Sequence, residues 1–106
     1  MEDRREKQRF LEESAEILKA IAHPIRLCIL DCLRNSGDCN VSHLIDKLGL
    51  PQSTVSRHLS RLRASGVVEG TRSGLEVQYT ITNEETKGII DLLMTTLRER
   101  KENQSE

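Results

Sequence analysis

Residues 48–66, LGLPQSTVSRHLSRLRASG, carry the most specific fold signal in this chain. Val55, Leu59 and Leu62 recur at helical spacing within this stretch, and most positions between them are polar or basic. A shorter amphipathic pattern ends at Gly49, directly before this one. Two short helices joined by a tight turn that contains glycine predict a helix-turn-helix motif.

Three amphipathic helices are predicted before the second helix of that motif. Their apolar residues recur at helical spacing over residues 10–22, 24–35 and 42–48. The first break falls at Pro24, because proline disfavours helical geometry in the preceding residue and is favoured in the first turn of a helix. Ser42 is predicted to cap the third helix.

Beyond the motif the period changes from helical to alternating. Apolar and polar residues alternate over 67–72 and 75–81 around a tip at 73–74, which predicts a β-hairpin. A hairpin that follows a helix-turn-helix is a wing. A last helix follows, capped by Thr82 or Asn83, with acidic residues in its first turn. The predicted fold class is therefore mainly α with a β-hairpin wing, a winged helix-turn-helix.

Length and composition predict a single domain over residues 1–106, with a frayed tail over 100–106. Hydrophobic residues make up 36% of the chain and aromatic residues only 2%, so the aliphatic core is thin and we expect a homodimer to complete it. No apolar run suits a membrane helix or a signal peptide, so we expect a cytoplasmic protein with no membrane partner. The sequence shows neither a glycine-rich phosphate loop nor a CxxC pair, and no enzyme is expected.

Positive charge is concentrated around the motif, although the whole chain carries a formal charge of −1. Residues 51–82 carry four basic and two acidic side chains. Because phosphate contacts require local cations, double-stranded DNA is the predicted partner. The second helix of a helix-turn-helix lies in the major groove. The predicted DNA-binding residues are Gln52, Ser53, Thr54, Ser56, Arg57, His58, Arg61, Arg63 and Arg72.

Position along the helix separates base contacts from phosphate contacts. The N-terminal part faces base edges, so Gln52, Ser56 and Arg57 are predicted to read bases. Glutamine can pair with adenine and arginine with guanine. Arg61 and Arg63 lie farther along the helix, where phosphate contacts are expected.

His58 and Arg72 complete the predicted DNA contacts, and one alternative function is left open. His58 is expected either to reach a phosphate or to bond within the protein. Arg72, beside the wing tip, is expected to enter a narrow minor groove. A positive segment also fits a solvated face, and a winged helix can mediate protein contacts without touching DNA, so a protein-interaction module stays the alternative.

Three cysteines, an odd number, argue against a disulfide scaffold. Cys28 and Cys32 lie one helical turn apart on one face, and Cys39 follows in the next loop. Such thiolates can bind Zn(II), Cd(II) or As(III), with Cys39 completing a three-sulfur site. They can instead react with oxidants or persulfides, or simply fill the core. No metal site is assigned from the sequence. The effector can be a soft metal ion or a thiol modification, or the protein can have no effector, and all three possibilities stay open.

The strings AHPIRLCIL at 22–30, LGLPQSTVSRHLSRLRASGVVEGTRSG at 48–74 and QYTI at 78–81 resemble the ArsR/SmtB family of bacterial winged-helix repressors. The resemblance covers roughly residues 14–97. It implies a homodimer formed by the first and last helices, which binds an inverted-repeat operator and leaves it when an effector binds. The apolar stripes of those two helices give the predicted dimer interface: Phe10, Ile17, Ile21, Ile90, Leu93 and Leu97.

The effector sites of that family are not reproduced. Metal sensors carry a CVC-like string at the start of the third helix, where this chain has Asn40 and Ser42. The positions that match the last-helix zinc site are Asn83, Glu85, Thr96 and Glu99. Persulfide-sensing relatives use a cysteine in the last helix, and none follows Cys39 here. His43 is an additional candidate ligand, and His23 is expected to cap or pack.

Overall fold

The computed structural model describes residues 3–104. Its elements, in chain order, are α1 (Arg4–Ile21), α2 (Pro24–Ser36), α3 (Val41–Leu48), α4 (Gln52–Ala64), β1 (Val68–Ser73), β2 (Glu76–Ile81) and α5 (Glu84–Gln104). This order confirms the predicted winged helix-turn-helix. No helix in the described part of the chain has the length and hydropathy needed to cross a membrane.

Side-chain caps fix where α2 and α3 begin. The backbone N–H of Ile25 donates to His23 Nδ1 at 3.1 Å, so His23 caps α2. The backbone N–H of His43 donates to Asn40 Oδ1 at 2.8 Å. The prediction that Ser42 caps α3 is therefore wrong. Asn40 has the extended backbone of an N-cap, and asparagine is at least as good a cap as serine.

Asn83, and not Thr82, caps α5. The backbone N–H and the hydroxyl of Thr86 both donate to Asn83 Oδ1, at 2.8 and 2.7 Å. The Thr82 hydroxyl donates instead to the carbonyl oxygen of Gly66 at 3.1 Å, which ties the end of β2 to the turn before β1. Both alternatives for this cap thus have a structural role, but only one of them starts the helix.

The core is aliphatic and holds the helix-turn-helix against α2 and the hairpin. Burying one such side chain contributes about 1.5–3 kcal/mol relative to leaving it exposed. The apolar stripe of α4 faces this core, so the opposite side of α4 faces outward. The side chains with no exposed surface include Ile29, Leu30, Leu44, Val55, Leu62 and Val67.

The wing is a two-stranded antiparallel hairpin that ends with Ser73 paired to Glu76. Its two-residue turn is Gly74-Leu75, one position later than the predicted tip. Gly74 has a φ of 67°, and the first position of a type II′ turn requires such a positive φ. As a result Leu75 projects from the tip and is 97% exposed.

The predicted interface residues divide between the core and the surface. Ile21 and Ile90 are 3% and 1% exposed and pack into the core of the single chain, so their assignment to the dimer interface is wrong. An apolar stripe shows which face is buried, but it does not show what covers that face. Phe10, Leu93 and Leu97 are 55%, 40% and 44% exposed. These three side chains and half-buried Ile17 remain available for an interface.

The two terminal helices are longer than their apolar stripes. α1 begins at Arg4, before the predicted start at residue 10, and Asp3 accepts a hydrogen bond from the backbone N–H of Arg5 at 3.2 Å. α5 is helical through Gln104, past residue 100, where the sequence predicts fraying, and residues 105–106 of that predicted tail lie outside the described residues. The added turns carry mostly charged, exposed side chains.

Candidate nucleic-acid interface and thiol cluster

α4 presents one polar, exposed face. Gln52, Ser53 and Arg57 are exposed, and Thr54 and Ser56 are half-buried. These five residues, called the recognition face below, share the N-terminal half of the helix. No acidic residue occurs in α4. The structure therefore brings the predicted base-reading side chains together on an accessible surface.

The start of α4 adds positive charge to this face. Pro51 occupies the N-cap position, and no side chain caps the helix there. The carbonyl oxygen of Pro51 accepts from the backbone N–H groups of Thr54 and Val55, both at 3.1 Å. The N–H groups of the first turn and the positive end of the helix dipole suit a phosphate oxygen at this position.

Three arginines extend the basic surface from α4 to the wing. Arg61 is exposed and donates from Nη1 to the hydroxyl of Ser65, so it lies along the C-terminal half of α4. The guanidinium carbon of Arg63 lies 6.0 Å from the centroid of the Tyr79 ring on β2. Arg72 is exposed on β1 near the wing tip. All three side chains are exposed, and their contact with a DNA backbone stays a prediction.

His58 lies inside the protein. It is 7% exposed, and its ring centroid lies 4.5 Å from that of His23. Burial, together with His23 and two nearby arginines, lowers the pKa of His58. The prediction of a phosphate contact for His58 is therefore wrong. Its spacing from Val55 and Leu62 places it on the buried stripe, a signal that the sequence already contained.

A second site lies at the connection between α2 and α3. The side-chain ligand atoms of Cys32, Cys39 and His43 all lie within 4.8 Å of one another. This thiol cluster joins the end of α2, the loop and the first turn of α3. Cys39 is 6% exposed, whereas Cys32 and His43 are half-buried. From the sequence, Cys32 and Cys39 are grouped with Cys28 and His43 is an additional candidate ligand, whereas the structure brings Cys32, Cys39 and His43 together.

Cys39 is also fastened to the wing through its main chain. Its N–H donates to the carbonyl oxygen of Tyr79 at 3.2 Å, and its carbonyl oxygen accepts from the Tyr79 N–H at 2.8 Å. Gly37, with a φ of 74°, turns the chain after α2 and directs the loop back towards β2. From the sequence, Tyr79 is placed in the hairpin but its contact with Cys39 is not predicted, because the two residues are far apart in the chain.

The three cysteines differ in accessibility. Burial and the neighbouring Cys32 thiol raise the pKa of Cys39 to about 11, so Cys39 is a neutral thiol and a weak nucleophile near neutral pH. Cys28 is exposed and lies outside the thiol cluster. The three-sulfur site considered from the sequence is therefore not formed. Two sulfurs and the His43 imidazole converge instead.

Comparison with known proteins agrees with the winged helix-turn-helix fold described above. Residues 23–70, from the cap of α2 into β1, match the family model described as bacterial regulatory protein, arsR family. The transcriptional repressor PagR of Bacillus anthracis is 48% identical over 83 residues, which are 78% of this chain and 83% of that protein. The transcriptional repressor SmtB of Mycobacterium tuberculosis is 44% identical over 80 residues, or 76% of this chain, which spans only 58% of that relative.

Two solved structures share this fold over most or all of the chain. The crystal structure of PagR has a TM-score of 0.77 and 46% identity, over 81% of this chain and 98% of that one. The homodimeric winged helix-turn-helix DNA-binding domain Mb0332 of Mycobacterium bovis has a TM-score of 0.76 and 30% identity, over 100% of this chain and 95% of that one.

Proposed function

The chain belongs to the ArsR/SmtB family of bacterial winged-helix transcriptional regulators, and we propose that it is a homodimeric repressor that binds an inverted-repeat DNA operator. Its relatives are DNA-binding regulators rather than enzymes. The observation that carries the proposal is the recognition face of α4, which presents exposed Gln52, Ser53 and Arg57 on a helix without acidic residues.

Each part of this surface has a proposed contact. Gln52, Ser56 and Arg57 read bases in the major groove, where one bidentate pair gives about 1–3 kcal/mol of discrimination against a wrong base. Ser53 and Thr54 supply hydroxyl groups to bases or phosphates.

The three arginines on α4 and the wing supply the remaining contacts. Arg61 and Arg63 bind phosphates, and these contacts hold the protein in register without reading sequence. Arg72 on the wing enters the adjacent minor groove.

The dimer is proposed to form through α1 and α5. These helices border an open apolar groove of about 790 Å³, whose lining includes Phe10, Ile17 and Ile89. Leu93 and Leu97 add exposed apolar surface on α5. A two-fold pair would bury this surface and would set two recognition helices about one DNA turn, roughly 34 Å, apart. The homodimeric state of Mb0332 supports a homodimer, and the use of α1 and α5 rests on the apolar surface described above.

The effector is proposed to act through the cysteines, by binding of a soft metal ion or by modification of a thiol. Release of DNA then follows from a change near Cys39, which is joined to the wing. If neither binding of a soft metal ion nor modification of a thiol released the DNA, the repressor would be independent of effectors. We propose that this release takes place in the cytoplasm, because transcriptional repressors of this family act on DNA.

Operator selection tests the proposal. Binding of the protein to a pool of randomised duplexes should enrich an inverted repeat. Light scattering of the selected complex should give two chains per duplex. Affinity should exceed that for a scrambled duplex by about a thousandfold and should fall as salt is raised. Equal binding to both duplexes, or no binding to either, would exclude a sequence-specific repressor.

A further inference from the structure

We propose that Cys32, Cys39 and His43 form a binding site for one thiophilic divalent cation, Zn(II) or Cd(II), in each chain. Their ligand atoms converge within 4.8 Å from three different parts of the fold. This site deepens the effector part of the proposed function and rests on it for its regulatory meaning. Ion uptake by the free protein, however, is measured without DNA. Failure of the cation site can therefore be told apart from failure of the proposed DNA-binding function.

The spacing of the donors fits a small tetrahedral site. Zinc bonds to sulfur at about 2.3 Å and to imidazole nitrogen at about 2.0–2.1 Å, which puts neighbouring donors roughly 3.8 Å apart. The observed upper limit of 4.8 Å therefore requires a contraction of roughly 1 Å at most. Three protein ligands leave a fourth position for water or another small donor.

The chemistry of the donors selects the class of ion. Two sulfurs and one imidazole are soft or borderline donors, which favour Zn(II) and Cd(II) over Mg(II) and Ca(II). No carboxylate belongs to the cluster. A disulfide would use only the two sulfurs, whereas a bound cation would also use the imidazole of His43. The third donor therefore favours coordination.

Neighbouring hydrogen bonds hold the ligands in place. His43 Nε2 lies 3.3 Å from the hydroxyl of Ser36, and the His43 main chain is held by the Asn40 cap at 2.8 Å. The main chain of Cys39 is held by the pair of hydrogen bonds to Tyr79. Such partners orient metal ligands and reduce the ordering needed when an ion binds. The set also differs from both metal-site patterns of the family, since Asn40 caps a helix and α5 contributes no ligand.

Titration of the reduced full chain with Cd(II) tests the site. The ultraviolet absorption of cadmium thiolates should saturate at one ion per chain, and native mass spectrometry with Zn(II) should give the same stoichiometry. Cys32→Ser, Cys39→Ser and His43→Gln should each weaken binding by about 100-fold or more. Cys28→Ser, which changes an exposed thiol outside the cluster, should bind like the wild type.

His43→Gln decides the outcome if burial of Cys39 makes its serine variant unstable. Circular dichroism establishes the folding of every variant. The proposal is overturned if the reduced chain takes up no ion. Formation of a Cys32–Cys39 disulfide in air would not rescue it. The proposal is equally overturned if Cys28→Ser abolishes binding, or if folded His43→Gln binds as tightly as the wild type.

Discussion

Cys39 and Tyr79 exchange two backbone hydrogen bonds, of 3.2 and 2.8 Å, which join the loop before α3 to strand β2 of the wing. The contact continues to α4, because the guanidinium carbon of Arg63 lies 6.0 Å from the Tyr79 ring centroid. The thiol cluster is therefore linked to both elements that are proposed to touch DNA. A change in the position of Cys39 has a direct path to the wing.

This link predicts that cadmium weakens operator binding. Allosteric coupling of ordinary size would lower the affinity by about 5- to 150-fold. Fluorescence anisotropy of a labelled operator, with and without Cd(II), measures the effect. Cys28→Ser should retain the response, and His43→Gln should lose it while still binding DNA. Equal wild-type affinities in the two conditions would show that the cluster does not communicate with the DNA-binding surface.

Gly70→Ala should destabilise the wing. A Cβ atom at Gly70 would lie 2.9 Å from Val77 Cγ1 and 3.1 Å from Tyr79 Cε1. Such overpacking lowers the free energy of unfolding by about 1–3 kcal/mol, measured by urea denaturation at a fixed chain concentration. Thr71→Ala, at the next and exposed position of β1, should change it by no more than about 0.5 kcal/mol. Similar effects from the two variants would contradict close packing at Gly70.

Leu97→Glu should disrupt the proposed dimer. A charge placed in an apolar interface is left without a partner, so the chains should separate. Light scattering after size-exclusion chromatography measures the mass. Leu75→Glu introduces the same charge at the wing tip, which is 97% exposed, and should leave the mass unchanged. A dimer that persists in Leu97→Glu would place the interface elsewhere.

His58 should make stability depend on pH. Its pKa in the folded chain is lowered by burial and by the charges of His23, Arg57 and Arg26. The unfolded chain, with an ordinary histidine pKa of about 6.5, therefore binds more protons in this range. The contribution of neutral His58 is complete above about pH 6.5 and is lost as the pH falls towards its folded-state pKa.

Urea denaturation across this range measures that contribution. The free energy of unfolding of the wild type should fall from about pH 7.5 to pH 5.5, and the fall should be smaller in His58→Gln. The same slope in both proteins would assign the pH dependence to other groups.

The fold was predictable because each element leaves a local signal. The apolar stripe of 52–64 and the alternation of the hairpin both follow from side-chain direction along a helix or strand. Burial of His58 was contained in the same stripe. What local pattern cannot show is the partner of a buried face. From the stripes of α1 and α5, Ile21 and Ile90 are therefore assigned to the interface, although both residues complete the core of one chain.

The thiol cluster depends on the path of a loop. Helical spacing relates Cys28 to Cys32, but it says nothing about residues beyond the end of α2. The turn at Gly37 and the pairing with Tyr79 bring Cys39 beside Cys32. These are tertiary contacts, so the grouping of Cys32 and Cys39 with His43, without Cys28, is visible only in the folded chain.

α4 is proposed to read DNA with its N-terminal half, and a pair of arginine variants provides the sharpest test of this proposal. Both side chains are exposed, so replacing either should leave the fold intact. Affinity for the selected operator and for a scrambled duplex should be measured over a range of salt. Arg57→Ala should reduce the binding free energy for the operator by about 1–3 kcal/mol and that for the scrambled duplex by much less. Arg61→Ala should weaken both alike and reduce the salt slope by about one. Wild-type affinity and selectivity in both variants would contradict the placement of α4 in the major groove.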